Sequence, residues 1–206
     1  MSVTGTRHLT QDAAIAATGL AGRPILTASA ADARRGLVAL AAVRDARVIL
    51  ALPDAARIEI TEREAVGRWL LGGVEWYVDA EGVLFGSVDP GAAPAVRVSD
   101  DRETTKSCAG RGGGRCIDPA LVDAAFRLAR LAPGELRADA TRPDVRLDLV
   151  NGLVLRSGGS WEVRFGGPER FNEKLSLARK FLSDNPTRRL DYVDVRSPDR
   201  IVFSPQ

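Results

Sequence analysis

The spacing of apolar residues changes character near residue 64, and that change restricts the architectures open to the chain. Before it, Ala-rich stretches at helical spacing lead into extended segments; after it, short apolar runs are separated by Gly, Asp and Asn turn signals. Ser2-Val3-Thr4-Gly5 is a short β-prone start. Thr10 is placed to cap a helix over 11–18 that Gly19 ends. Ser29-Ala30-Ala31-Asp32 fits a loose capping box, with Asp in the Glu/Gln position, and opens a helix with Ala33, Leu37 and Leu40 on one face. Residues 47–52 are β-prone, Pro53-Asp54 is a turn, and residues 57–63 alternate polar and apolar side chains, as a strand with one buried face does. The first third therefore reads β-α-α-β-β.

Hairpins dominate from Ala65 onward. Gly72-Gly73 separates Trp69-Leu70-Leu71 from residues 74–78, and Asp79-Ala80-Glu81-Gly82 turns the chain into Val83-Leu84-Phe85. Residues 86–117 are rich in Gly, Pro and charge and read as long loops around one strand over 95–98. Asp118-Pro119 caps and starts a helix with Leu121, Ala125 and Leu128 on one face, ending before Pro133-Gly134. Asn151-Gly152, between apolar runs over 145–150 and 153–157, is the strongest short hairpin signal in the chain. Residues 161–165 alternate cleanly. Pro168 is expected to open a last helix with Phe171, Leu175, Ala178 and Leu182 on one face, stopped by Asn185-Pro186. Strands over 190–196 and 200–203 close the chain. The fold class is α+β.

At 206 residues, with 45% hydrophobic and 27% charged side chains, the chain can bury one large core or two small ones and is too apolar to be disordered. The net charge of +2 is spread over 29 basic and 27 acidic residues with no basic block, which argues against a nucleic-acid partner. The longest apolar run, Leu37 to Val43, is far short of the roughly 18 residues a membrane span needs. No basic start followed by an apolar core marks a signal peptide.

Little in the sequence points to catalysis. A single His, His8, disfavours His-based metal sites and Ser/His/Asp triads, and reads as an exposed or capping residue. Cys108 and Cys116 bracket a Gly-rich stretch and have too few companions for a zinc site. They are either free thiols or a closed short loop, depending on compartment. Gly110 to Gly114 lacks the Gly-Lys-Ser/Thr and following helix of a phosphate loop and reads as an ordinary loop, so no cofactor is implied. Asp79 and Glu81 read as solvated turn residues and Asp100-Asp101 as a solvated loop; Trp69, Trp76 and Trp161 read as sheet-face or core packing. Ile201, Val202 and Phe203 near the chain end read as completing the domain's own sheet, although an open edge there could accept a partner strand.

Several of these segments, in this order, resemble the extracytoplasmic part of the bacterial cell-division family FtsQ, also called DivIB. Val3-x-Gly5, the helix pair, Leu40-x-x-Val43-x-x-Ala46-x-Val48, Pro53 and Ile58-x-Ile60-x-Glu62-Arg63 are similar to the family's POTRA domain. Residues 76–85 resemble the opening of its β domain, and residues 171–182 and Tyr192-Val193-Asp194-Val195-Arg196 its last helix and the following strand. The resemblance implies a POTRA domain over 1–64 and an FtsQ-type β domain over 65–206, mostly antiparallel with two packed helices. It implies a non-catalytic divisome scaffold, single-pass in the cell membrane, with this region outside the cytoplasm at the septum and a membrane helix upstream of Val3. The implied partners are FtsB/DivIC and FtsL, the β domain taking a partner strand at the edge of its last strand. Matching residues 192–196 carries that role to Arg196 and Ser197 and on to Ile201, Val202 and Phe203. Outside the cytoplasm a Cys108–Cys116 disulfide would close a loop of about nine residues, worth roughly 2–3 kcal/mol.

Two other readings compete. A POTRA-type module of a protein-translocation or outer-membrane assembly system predicts repeated POTRA units or a barrel, and residues 65–206 carry neither pattern. An enzyme using Asp79, Glu81 or Cys108 has no substrate suggested by the sequence.

Overall fold

The computed structural model describes residues 1–87, 96–102, 114–131, 135–137, 144–157 and 161–205. The N-terminal part runs β1 (Ser2–Thr4), α1 (Gln11–Thr18), a 3-10 turn (Ile25–Thr27), α2 (Ala30–Val38), β2 (Val43–Ala51) and β3 (Ala55–Glu62). The caps form as the sequence indicates. The Thr10 hydroxyl accepts from the Ala13 N–H, Gly19 ends α1 in the left-handed region, and the Ser29 hydroxyl accepts from the Asp32 N–H at the start of α2. β3 lies in the middle of a three-stranded sheet, parallel to β1 and antiparallel to β2. Its alternation works as expected: Ala56, Ile58 and Ile60 are buried. Ile58 and Ile60 share a core with Val3, Ala14, Leu37, Val43 and Ala46.

Beyond Glu62 the chain builds a ten-stranded sheet. Its elements are β4 (Gly67–Leu71), β5 (Val74–Val78), β6 (Val83–Ser87), β7 (Arg97–Asp100), β8 (Gly114–Arg115), α3 (Pro119–Ala129), β9 (Asp144–Asp148), β10 (Gly152–Arg156), β11 (Glu162–Gly166), α4 (Phe171–Asp184), β12 (Tyr192–Asp194) and β13 (Val202–Ser204). The strand order is β13-β12-β11-β10-β9-β7-β4-β5-β6-β8. Consecutive strands pair mostly as antiparallel hairpins. Parallel pairings occur for β4 with β7, β7 with β9 and β11 with β12, each after a longer excursion of the chain. The α+β class is therefore found. α3 and α4 bury Leu121, Ala125 and Leu128, and Phe171, Leu175, Ala178 and Leu182, in one core with Trp69, Leu147, Val163, Phe165 and Val193.

Several local expectations need correction. The last helix begins at Phe171 rather than at Pro168, because Arg170 takes a left-handed backbone (φ 51°) that cannot be part of a right-handed helix. The Asn151-Gly152 hairpin keeps Leu149, Val150 and Asn151 out of the strands. The Asp148 carboxylate accepts from the N–H groups of Val150 and Asn151 and tightens the turn. Asp79 and Asp100 are not solvated: both carboxylates are buried, Asp79 under hydrogen bonds from Arg63, Glu81 and Val83, and Asp100 under Trp69 and Arg102. His8 packs its ring 4.5 Å from Tyr77 and 6.0 Å from Phe85. For Asp79, Asp100 and His8 part of the cover comes from a distant element that no local pattern reveals: Arg63, Trp69, and Tyr77 with Phe85.

Candidate functional site: the C-terminal sheet edge

β13 ends the strand order of the large sheet, hydrogen-bonded to β12 on one side, with no described strand on the other. Its register sets Tyr192 against Ser204, Val193 against Phe203 and Asp194 against Val202. Successive side chains point to opposite faces of a strand. Phe203 faces inward, partly buried, with its ring 5.1 Å from Phe181 of α4. Arg188 brings its guanidinium to 4.2 Å from the Phe203 centroid. Ile201 is also partly buried against the core, whereas Val202 is 40% exposed. Of the three apolar residues that the resemblance assigns to the edge, two anchor the strand and one projects from it.

Arg196 and Ser197 sit where β12 leaves the sheet. Ser197 is exposed, and its carbonyl accepts from the Arg200 N–H in the turn that leads to β13. Arg196 wraps the Asp194 carboxylate, donating its backbone N–H to Oδ1 at 3.0 Å, Nε to Oδ2 at 2.9 Å and a terminal nitrogen to Oδ2 at 2.6 Å. The other terminal nitrogen reaches the Val150 carbonyl at 3.4 Å. Gly166, with φ +73°, leaves the space for the Arg196 stem, since a Cβ there would lie 3.0 Å from Arg196 Cγ. Burial pushes the Asp194 carboxyl up, but the hydrogen bonds from the Arg196 side chain and backbone, with the charges of Arg196 and Arg164, outweigh it and hold its pKa below the ordinary value. The hydrogen bond to Asp194 correspondingly raises the Arg196 pKa.

The tertiary structure adds residues that sequence reasoning missed. Arg170 donates to Glu173 at 2.6 Å and to Asp199 at 3.2 Å, tying the first turn of α4 to the turn before β13. Its pKa is raised, first by the hydrogen bond to Glu173. Arg164 lies 4.0 Å from the Tyr192 centroid. Leu149 and Val150 are 73% and 78% exposed in the turn that Arg196 touches. No sequence signal could have joined these groups, because Arg170 and Asp199 are 29 positions apart and Arg196 and Val150 are 46.

The remaining candidates give no second site. Cys108 lies outside the described residues, as do Gly110 and its neighbours up to Gly113. Among the described residues no three His, Cys, Asp or Glu side chains gather as a metal site, and no helix is long and apolar enough to cross a membrane.

The sequence is similar to known proteins along nearly its whole length. The family model described as POTRA domain, FtsQ-type, matches residues 1–63. The chain is 31% identical over 199 residues to the cell division protein FtsQ of Chloroflexus aggregans, covering 95% of this chain and 69% of that protein. It is 28% identical over 197 residues to the FtsQ of Chloroflexus aurantiacus, with the same coverage of 95% and 69%. Against the FtsQ of Caulobacter vibrioides it is 25% identical over 193 residues, covering 89% of this chain and 56% of the relative. With the match spanning both the small N-terminal sheet and the large sheet that carries the open edge, the chain belongs to the FtsQ family of bacterial cell division proteins.

Proposed function

We propose that this chain is the extracytoplasmic part of a non-catalytic divisome scaffold, anchored in the cell membrane at the septum, that holds FtsB/DivIC- and FtsL-type partners by strand addition at β13. In this reading residues 1–64 form the POTRA domain, tied to septal localisation, and residues 65–206 the β domain that takes the partner. The relatives' shared name, cell division protein FtsQ, supports the division role. The observation that carries the mechanism is the one-sided pairing of β13. A partner strand would take the unpaired backbone groups for affinity, and Val202, Ser204 and the neighbouring Arg196 and Ser197 would choose its side chains. Ile201 and Phe203 would act from beneath, holding the edge flat against α4.

The test is a titration of the 206-residue chain with the soluble extracytoplasmic FtsB–FtsL pair of the same organism, beside a Val202→Pro variant that loses one backbone donor. Binding by the parent, lost in a variant whose circular dichroism stays native, supports strand addition. Undiminished binding by Val202→Pro rules out β13 as the docking strand. No binding by the parent up to high micromolar concentration removes the partner assignment for this segment.

A further inference from the structure

The three-stranded and ten-stranded sheets meet at the turn between β5 and β6, and we infer that Arg63, received there by Asp79 and Glu81, pins the two units so that they move as one body. Only residues 63–66 separate the end of β3 from the start of β4. Two units joined within a chain ordinarily move relative to one another unless their contact is extensive. A short connection by itself leaves their angle free, so the side chains at the junction have to set it.

Arg63 is placed for that. Its backbone N–H donates to the Ala42 carbonyl at 2.9 Å and its Nε to the Ala41 carbonyl at 3.1 Å, which fastens it to the connection between α2 and β2. One terminal nitrogen crosses to the large sheet, 2.7 Å from Asp79 Oδ2 and 3.2 Å from Glu81 Oε2. The planar guanidinium therefore holds one unit with one edge and the other unit with its tip, which an ammonium could not do. Asp79 cannot swing to follow a displaced arginine, because its Oδ1 accepts the N–H groups of Glu81 and Val83, both at 2.9 Å. The pair is shielded from water, the Arg63 and Asp79 side chains being 17% and 8% exposed. Glu81 is also approached by Arg44 of β2 at 3.7 Å and by Arg115 of β8 at 3.6 Å.

A second contact beside it removes the remaining freedom. Glu62 accepts the backbone N–H groups of Arg7, His8 and Leu9 at 2.7–2.9 Å, which fixes the segment after β1. That segment delivers the His8 ring onto Tyr77 and Phe85, themselves 5.7 Å apart and stacked. Glu62 and Arg63, adjacent in sequence, thus serve two halves of one junction: the first shapes the N-terminal unit's contact surface and the second bolts it to the large sheet.

Amide nitrogen relaxation on the 206-residue chain tests the pin, since a merely stabilising residue would not alter how the units tumble. In the parent, amides of β2 and β3 and amides of β9 and β10 are expected to share one rotational correlation time. Arg63→Gln is expected to split it into two, shorter for the small unit, with the spectra of both units still dispersed. Arg57→Gln, which removes an exposed pair with Glu59 inside the small sheet, is expected to leave one shared time. Two times in the parent, or one shared time in a folded Arg63→Gln, overturns the inference. Should Arg63→Gln fail to fold, Arg63→Lys keeps the charge at the junction but cannot hold both units at once; two times support the pin and one shared time overturns it.

Discussion

The Arg188 guanidinium lies 4.2 Å from the centroid of the Phe203 ring, on a strand that among the described residues has a neighbour on one side only. With Phe181 at 5.1 Å, Phe203 is gripped by a helix residue and by a residue of the connection between α4 and β12. A terminal strand of three residues makes few ladder hydrogen bonds, so most of what holds it in place is this side-chain contact.

Phe203→Ala should therefore cost about 2 kcal/mol, below the range for fully buried phenylalanines because the ring is only partly covered. Amide exchange at Val202, Phe203 and Ser204 should rise by more than at β9 and β10. Urea unfolding and hydrogen exchange together check this. A variant with parental stability and parental exchange at β13 would show that the ladder alone holds the edge.

The Asp194–Arg196 pair makes the turn before β13 sensitive to acid. The folded-state pKa of Asp194 lies below its unfolded value, so the pair's contribution is fully present above about pH 4 and is lost as pH falls through the folded value. Carbon-detected titration should give Asp194 a midpoint below 3.8, the ordinary value. Arg196→Gln should move that midpoint upward while leaving the fold intact. A midpoint at or above the ordinary value in the parent contradicts the pairing.

Gly67 begins β4 directly against α3. A Cβ at this position would lie 1.9 Å from Phe126 Cε1, so Gly67→Ala forces the buried ring aside. Overpacking of this kind costs roughly 1–3 kcal/mol. Combining Gly67→Ala with Phe126→Leu should recover part of the loss, giving a coupling energy of about 1 kcal/mol in a double-mutant cycle. Additive losses would mean that the two residues do not compete for the same space.

Much of this architecture could be read locally. Thr10, Gly19, Ser29 and Asp118 mark helix ends through hydrogen bonds to residues within four positions, and all four do so in the structure. Ile58 and Ile60 alternate into a core, and Leu175, Ala178 and Leu182 share a buried helix face, because strand and helix periods are properties of the backbone itself. The resemblance of residues 1–63 to a POTRA domain also survives as a family match. Side chains whose partners come from afar were the ones misjudged. His8, Asp79 and Asp100 looked like solvated or capping residues, and each turned out to be covered by groups from other elements.

By itself, then, the sequence determined the types of most elements, the starts of the capped helices, the α+β class and the family, since these rest on local hydrogen bonding and on periodic burial. Only the tertiary structure decided which strands end the large sheet, which of Ile201, Val202 and Phe203 points outward, and how Arg63 joins the two sheets. Those depend on strand order and on contacts between residues tens of positions apart, where the free energy of a side chain is set by whatever the fold brings against it.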